Sequence, residues 1–154
     1  MALVISKLTS DRHQEWDEYV RKKQASIYHD SRWPQLIKKV FGHESFYLMA
    51  VENDSVVGIL PMVQLRSLLF GNFLISMPYF NYGGAVADTN EIMVALISSA
   101  HELSDDLGCS HIEMRYDSKQ EIELPSRTDK ITMLLDLPDD SEELWQKLGS
   151  KLRA

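Results

Sequence analysis

Two apolar runs dominate the middle of the chain, SFYLMAVE (Ser45–Glu52) and VVGILPMVQLR (Val56–Arg66), with Asn53-Asp54 between them. Asn and Asp tolerate the left-handed backbone of a tight hairpin turn, so the two runs read as adjacent antiparallel strands. The first run is apolar on both faces, which predicts a sheet covered on two sides. Pro61 cannot donate to a ladder and predicts an edge or a bulge within the second strand. FLISM (Phe73–Met77) supplies a further strand.

The segments on either side alternate in type. Ala2–Leu8 reads as a first strand, and Thr9 or Ser10 can cap a helix from Asp11 whose Trp16, Tyr19 and Val20 form a stripe at helical spacing. Pro34 suits the first turn of a second helix carrying Leu36, Ile37, Val40 and Phe41, and Gly42 is a left-handed stop. Asp88 and Glu91 have capping-box spacing ahead of a long helix with Ile92, Leu96, Ala100 and Leu103 on one face, stopped by Gly108. CSHIEMRY (Cys109–Tyr116) reads as a strand, and SKQEIELPSRTD as a polar loop. KITMLLDL (Lys130–Leu137) reads as another strand with Ile131, Met133, Leu135 and Leu137 on one side. After Pro138 an acidic run opens a last helix bearing Leu144, Trp145 and Leu148.

The expected order is β-α-α-β-β-β-α-β-β-α. Consecutive hairpin strands followed by a crossover helix imply a mixed α+β fold of the α/β kind, a central mixed sheet of about six strands flanked by helices. The 154 residues suit one domain, 1–154. The last helix has no stop signal, and half the weight of that observation falls on a chain that continues in a longer protein.

The formal net charge of −7 argues against this chain gripping a nucleic-acid backbone directly. Cys109 is the only cysteine, so no intrachain disulfide forms. Val56–Met77 is interrupted by Pro61, Gln64, Arg66 and Asn72 and is not a membrane span. A cytoplasmic location fits these features. The five histidines have no ligand spacing, so no metal is expected, and no nucleophile elbow, Walker loop or dinucleotide fingerprint occurs.

Two stretches are candidates for chemistry. In HIEMRY, alternation puts His111, Glu113 and Arg115 on the face opposite Ile112 and Met114. Glu113 can accept a proton from an amine and Arg115 can hold an anionic group; the alternative is a solvated face or a cross-strand ion pair. In MPYFNYGG, the rings Tyr79, Phe80 and Tyr82 surround Asn81, an arrangement that serves either a ligand or the core. Gly83 and Gly84 either supply positive φ or let a ligand approach backbone N–H groups near a helix N-terminus. His29 and Trp33 can cover the same region.

Taken together, HDSRW (His29–Trp33), GILPM (Gly58–Met62), LLFGNFLISMPYFNYGG (Leu68–Gly84), HIEMRY (His111–Tyr116) and LGSKLRA (Leu148–Ala154) resemble the Fem-like transferases. More narrowly the chain resembles the FemAB-related proteins associated with exopolysaccharide and exosortase (PEP-CTERM) systems of bacteria. The resemblance runs over essentially the whole chain. It implies a GNAT-like lobe, the acyl-CoA N-acyltransferase architecture, and specifically the N-terminal half of a two-lobe protein. The activity it implies is transfer of an acyl or aminoacyl group to an amine of a cell-envelope or exopolysaccharide precursor, with this lobe on the acceptor side.

The donor, aminoacyl-tRNA or acyl-coenzyme A, stays open. The chain lacks the Arg/Gln-x-x-Gly-x-Gly/Ala loop that holds the coenzyme A pyrophosphate, so no cofactor is expected on this lobe. The expected partners are the precursor and either a second GNAT-like lobe or a second copy. Glu113 is then the expected base, with Tyr79, Asn81, Tyr82, Gly83, Gly84, Arg115, His29 and Trp33 binding substrate. A non-catalytic saccharide- or partner-binding module and a one-lobe coenzyme A-dependent acetyltransferase are the alternatives.

Overall fold

The structure is a computed structural model that describes residues 2–129 and 132–153. It divides into two compact units, Met1–Glu123 and Leu124–Ala154.

The first unit is built on a six-stranded mixed sheet. Strands β1 (Val4–Lys7), β2 (Glu44–Glu52), β3 (Ser55–Ser67) and β4 (Gly71–Ile75) follow one another antiparallel, and β6 (His111–Glu113) runs parallel to β4. A two-residue strand, β5 (Val86–Ala87), pairs with β3 as well. Helices α1 (His13–Lys22) and α2 (Trp33–Phe41) lie on one face, and α3 (Asn90–Asp106) lies on the other.

The hairpin turn is as expected: Asn53 and Asp54 have φ of 50° and 60°, the doubly left-handed backbone that matches strand twist. Alternation along β2 and β3 then sorts the core into two layers. Leu48, Ala50, Leu60, Met62 and Leu74 pack under Leu96 and Ala100 of α3. Tyr47, Met49, Ile59 and Val63 pack against Trp16, Tyr19 and Ile37 from α1 and α2. Gly42 ends α2 with φ of 74°, and Gly108, at 62°, follows the end of α3.

Pro61 is neither in an edge strand nor at the bulge. The irregularity between β2 and β3 lies beside Ala50 and Val51. Pro61 sits where the far side of β3 has no strand partner, because β4 pairs with residues 63–67 and β5 with residues 58 and 59. Leu8 N–H donates to the Tyr47 carbonyl, so Tyr47 turns that carbonyl toward the β1 side. Its partner Pro61 therefore turns its nitrogen into that gap, where no donor is needed.

Three further expectations are corrected. Thr89, not Asp88, caps α3, its Oγ1 accepting from Ile92 N–H at 3.4 Å. Asp88 N–H donates to the Val57 carbonyl, which keeps Asp88 in the ladder extended from β5. Its carboxylate instead takes Lys23 Nζ at 2.9 Å and lies 2.7 Å from the Tyr19 hydroxyl.

The strand expected over Cys109–Tyr116 is shorter, with ladder pairing only over His111–Glu113. The strand expected over Lys130–Leu137 is absent over residues 132–137, which are irregular, with Met133, Leu134, Leu135 and Leu137 exposed. Lys130 and Ile131 lie outside the described residues. An alternating pattern becomes a strand only where an edge receives it, and the second unit holds no other strand among the described residues. That unit contains α4 (Ser141–Lys147), capped by the Asp140 side chain, and α5 (Ser150–Arg153).

Candidate functional site

Residues 76–85 leave the sheet at the end of β4 and return to it as β5. Their departure begins in order: Ser76 N–H donates to the Glu113 carbonyl, and the buried Ser76 Oγ accepts from Arg115 N–H at 2.8 Å. Met77 then takes a φ of 48° and turns the chain away.

Arg115 binds this excursion with both backbone and side chain. Its carbonyl accepts from Gly83 N–H at 3.1 Å and Gly84 N–H at 2.8 Å. Its guanidinium Nη1 donates to the carbonyls of Pro78 at 2.6 Å and Phe80 at 2.9 Å, and Nε donates to Glu113 Oε1 at 2.6 Å. The ion pair is partly solvated, with 28% of the Arg115 side chain and 46% of the Glu113 side chain exposed. A planar fork satisfying two carbonyls and a carboxylate fixes the turn's path.

The glycines are required for close packing. A Cβ on Gly83 would lie 2.6 Å from Met77 Cβ, and Gly83 has φ of 149°. A Cβ on Gly84 would overlap the Tyr116 ring, whose hydroxyl accepts from Ala85 N–H at 3.2 Å. The expectation that these glycines present N–H groups beside a helix N-terminus needs correction. Strand β5 separates them from α3, and both N–H groups are already donated to Arg115.

From the other side the excursion meets the segment before α2. The short 3-10 turn Ile27–His29 buries His29, whose Nε2–H donates to the Gly84 carbonyl at 2.8 Å. Nδ1 lies 3.1 Å from Ser26 Oγ, which fits a neutral ring protonated at Nε2. Phe80 stacks on Tyr28 at 4.6 Å and tilts against Trp33 at the same distance, and Trp33 Nε1 donates to the Ile27 carbonyl. Six expected residues thus join one network around Phe80: His29, Trp33, Gly83, Gly84, Glu113 and Arg115.

Tyr79 is directed elsewhere. It stacks on Phe41 at 4.0 Å and lines a separate shallow hollow of about 220 Å³ with His43, Arg66, Phe70 and Phe73. Asn81 is exposed at the tip of the excursion, and Tyr82 lies 6.5 Å from Tyr28. Sequence reasoning missed Tyr28 and Ser76, which complete the network, and a lone Tyr and Ser in irregular segments carry no signal that could have found them. No group of His, Cys, Asp or Glu suited to a metal ion occurs among the described residues.

Burial lowers the His29 pKa from its ordinary value, against the opposing hydrogen bonds to Gly84 and Ser26. The unfolded chain therefore binds a proton at a pH where the folded chain does not, and stability rises with pH through that window. The His29 contribution is complete above about pH 6.5 and is lost as pH falls toward the lowered folded value. Urea titrations across this range are expected to show that slope, and a His29→Gln variant is expected to lack this component of it.

No family model matches the chain, and no curated protein matches it. Solved structures do match, with sequence identities that speak to fold. A GNAT family acetyltransferase from Staphylococcus aureus superposes with a TM-score of 0.59 and 14% identity, over 88% of this chain and 100% of that one. The chain has the GNAT fold. An acetyltransferase from Trypanosoma brucei matches with a TM-score of 0.57 and 15% identity, over 88% and 100% of the two chains. An aminoglycoside acetyltransferase from an uncultured soil metagenomic sample, solved with trehalose, gives 0.55 and 14%, over 87% and 97%. In this GNAT-fold chain that architecture is the six-stranded mixed sheet flanked by helices. No helix among the described residues is long and apolar enough to cross a membrane.

Proposed function

We propose that this GNAT-fold chain is the acceptor-side lobe of an N-acyl or aminoacyl transferase acting on an amine of a cell-envelope or exopolysaccharide precursor. The observation that carries the reading is the meeting of the Tyr-rich excursion with the Glu113–Arg115 pair. The Glu113 carboxylate in that juxtaposition is half-exposed, which leaves it open to a substrate. The resemblance to Fem-like transferases supplies the reaction class, with a second GNAT-like lobe as the expected partner. The structural relative solved with trehalose is an aminoglycoside acetyltransferase, which keeps amino sugars among the acceptors worth testing.

In the reaction the acceptor nitrogen attacks the acyl carbon and the donor's thiolate or ribose oxygen departs from the tetrahedral intermediate. The ammonium proton passes to a base. Glu113 fills that role if its contact with Arg115 opens when substrate binds. The test is transfer of labelled acyl groups from acyl-coenzyme A and aminoacyl-tRNA to amino-sugar acceptors, by the chain alone and in the presence of a second GNAT-like lobe. Glu113→Gln is expected to lower turnover by about 10²-fold or more, with KM little changed. Unchanged turnover removes Glu113 from the chemistry.

A second reading has its own support, because Arg115 spends its fork on Glu113, Pro78 and Phe80. A pair so engaged suits a non-catalytic saccharide-binding module. Calorimetry showing sugar binding without any turnover would select it, and tight binding of acetyl-coenzyme A would select a one-lobe acetyltransferase.

A further inference from the structure

The register of the sheet relates the Tyr79 hollow to the Glu113–Arg115 pair. Val63, Ile75 and Glu113 stand side by side on β3, β4 and β6, and Leu65, Phe73 and His111 form the adjoining row. Leu74 and Ile112 alternate into the layer beneath α3, so both rows face the α1–α2 side. One strand repeat of about 7 Å separates them. The first row is covered at Val63 and Ile75, which are buried, and ends in the half-exposed Glu113 carboxylate. In the second, Leu65 and Phe73 line the hollow, and the His111 ring lies 4.4 Å from that of Phe73. Tyr79, on the wall of the hollow, sits between the two residues whose carbonyls Arg115 holds.

The hollow is aromatic, with polar groups from His43 and the Tyr79 hydroxyl, and no Asp, Glu or Lys among its described lining. Arg66, opposite Asn72 in the register, is directed to the α3 face. An anionic ligand therefore finds no strong counter-charge there. At about 220 Å³ the hollow is smaller than the roughly 300–1,000 Å³ of a drug-sized cleft and has room for a single ring. A pyranose matches this lining: its face of C–H bonds lies on aromatic rings, and its hydroxyl edge meets polar side chains.

We propose that the hollow is a saccharide subsite, holding a neutral pyranose unit of the acceptor next to the unit whose amine lies at Glu113. The placing of the amine rests on the transferase reading; ring binding in the hollow does not. Neighbouring units of one sugar chain can bridge a single strand repeat, so the two positions belong to one ligand. The acceptor class is then an amino-sugar-bearing chain of two or more units, and a monosaccharide leaves the hollow unused.

The test is titration of the chain with glucosamine and with a disaccharide of glucosamine linked to N-acetylglucosamine, followed by two-dimensional NMR of the amides. The disaccharide is expected to shift the Gly71, Phe73 and Tyr79 resonances and to bind about tenfold more tightly than glucosamine. Phe73→Leu keeps an apolar side chain on β4 and removes the ring, and Tyr79→Ala alters a residue that is 44% exposed. Each is expected to abolish the advantage of the disaccharide while keeping the far-UV circular dichroism of the parent. Absence of shifts at these positions overturns the proposal, as does equal affinity for the two sugars. No acyl donor is present in the titration, so the two readings separate. Disaccharide-selective binding without transfer upholds the subsite and counts against the transferase; transfer with no preference for the disaccharide does the reverse.

Discussion

Trp16→Ala is expected to cost about 3–5 kcal/mol of folding stability, measured by urea unfolding with two optical probes. Trp16 is fully buried, lies 5.0 Å from the Tyr47 ring and belongs to the α1–α2 side of the core. Its indole N–H also donates to the His29 carbonyl at 2.6 Å. That bond ties the turn before α2 to α1 while the His29 ring reaches the Gly84 carbonyl. Loss of the ring therefore removes core volume and loosens the support beneath the excursion. Trp16→Phe keeps most of the apolar contact and deletes the donor, so it is expected to cost less, about 1–3 kcal/mol.

The second large effect is expected at Gly83. Gly83→Ala should cost about 2–4 kcal/mol, with a fall in melting temperature on the order of 10 °C. Two causes act together: the positive φ strains an L residue, and the new methyl meets Met77 Cβ and Cγ at 2.6 and 2.5 Å. Met77 has nowhere to retreat, being fully buried with its sulfur beside the Tyr47 hydroxyl at 3.3 Å. Gly84→Ala forces movement of the Tyr116 ring instead. By contrast Gly149→Ala meets nothing within 4 Å and serves as the control, expected to shift stability by less than about 0.5 kcal/mol.

The scaffold was legible where local chemistry and long-range packing agree. Asn53-Asp54 could turn only one way between two buried strands, and Pro34 and Gly42 bracket α2 by backbone geometry alone. The stripe on α3 survives because Leu96 and Ala100 bury against β2 and β3. Where two neighbouring residues could do the same job, the pattern was blind. Asp88 and Thr89 are both competent caps, and the choice was made by the Asp88 N–H bond to Val57, a contact distant in sequence. Strand β5 was invisible because two residues carry no period.

At the site, alternation put Glu113 and Arg115 on one face, and the ion pair they form runs along a single segment, not across strands as the alternative for that face had it. The bond from Arg115 to carbonyls of the excursion depends on tertiary placement and left no mark in spacing. Tyr79, Asn81 and Tyr82 are adjacent in the chain, yet they point to three different surroundings, because the irregular backbone after Met77 has no fixed period.

Strands β4 and β5 both rest on β3, so the sheet's register on either side of residues 76–85 is held independently of what lies between. The intervening stretch is thus anchored at both ends, while Met77 and Ala85 bind it into the two core layers and set bounds on how far it can change. Any redesign of this excursion accordingly has to keep Met77, Gly83 and the grip of Arg115, and can alter the exposed Tyr79 and Asn81 at least structural cost.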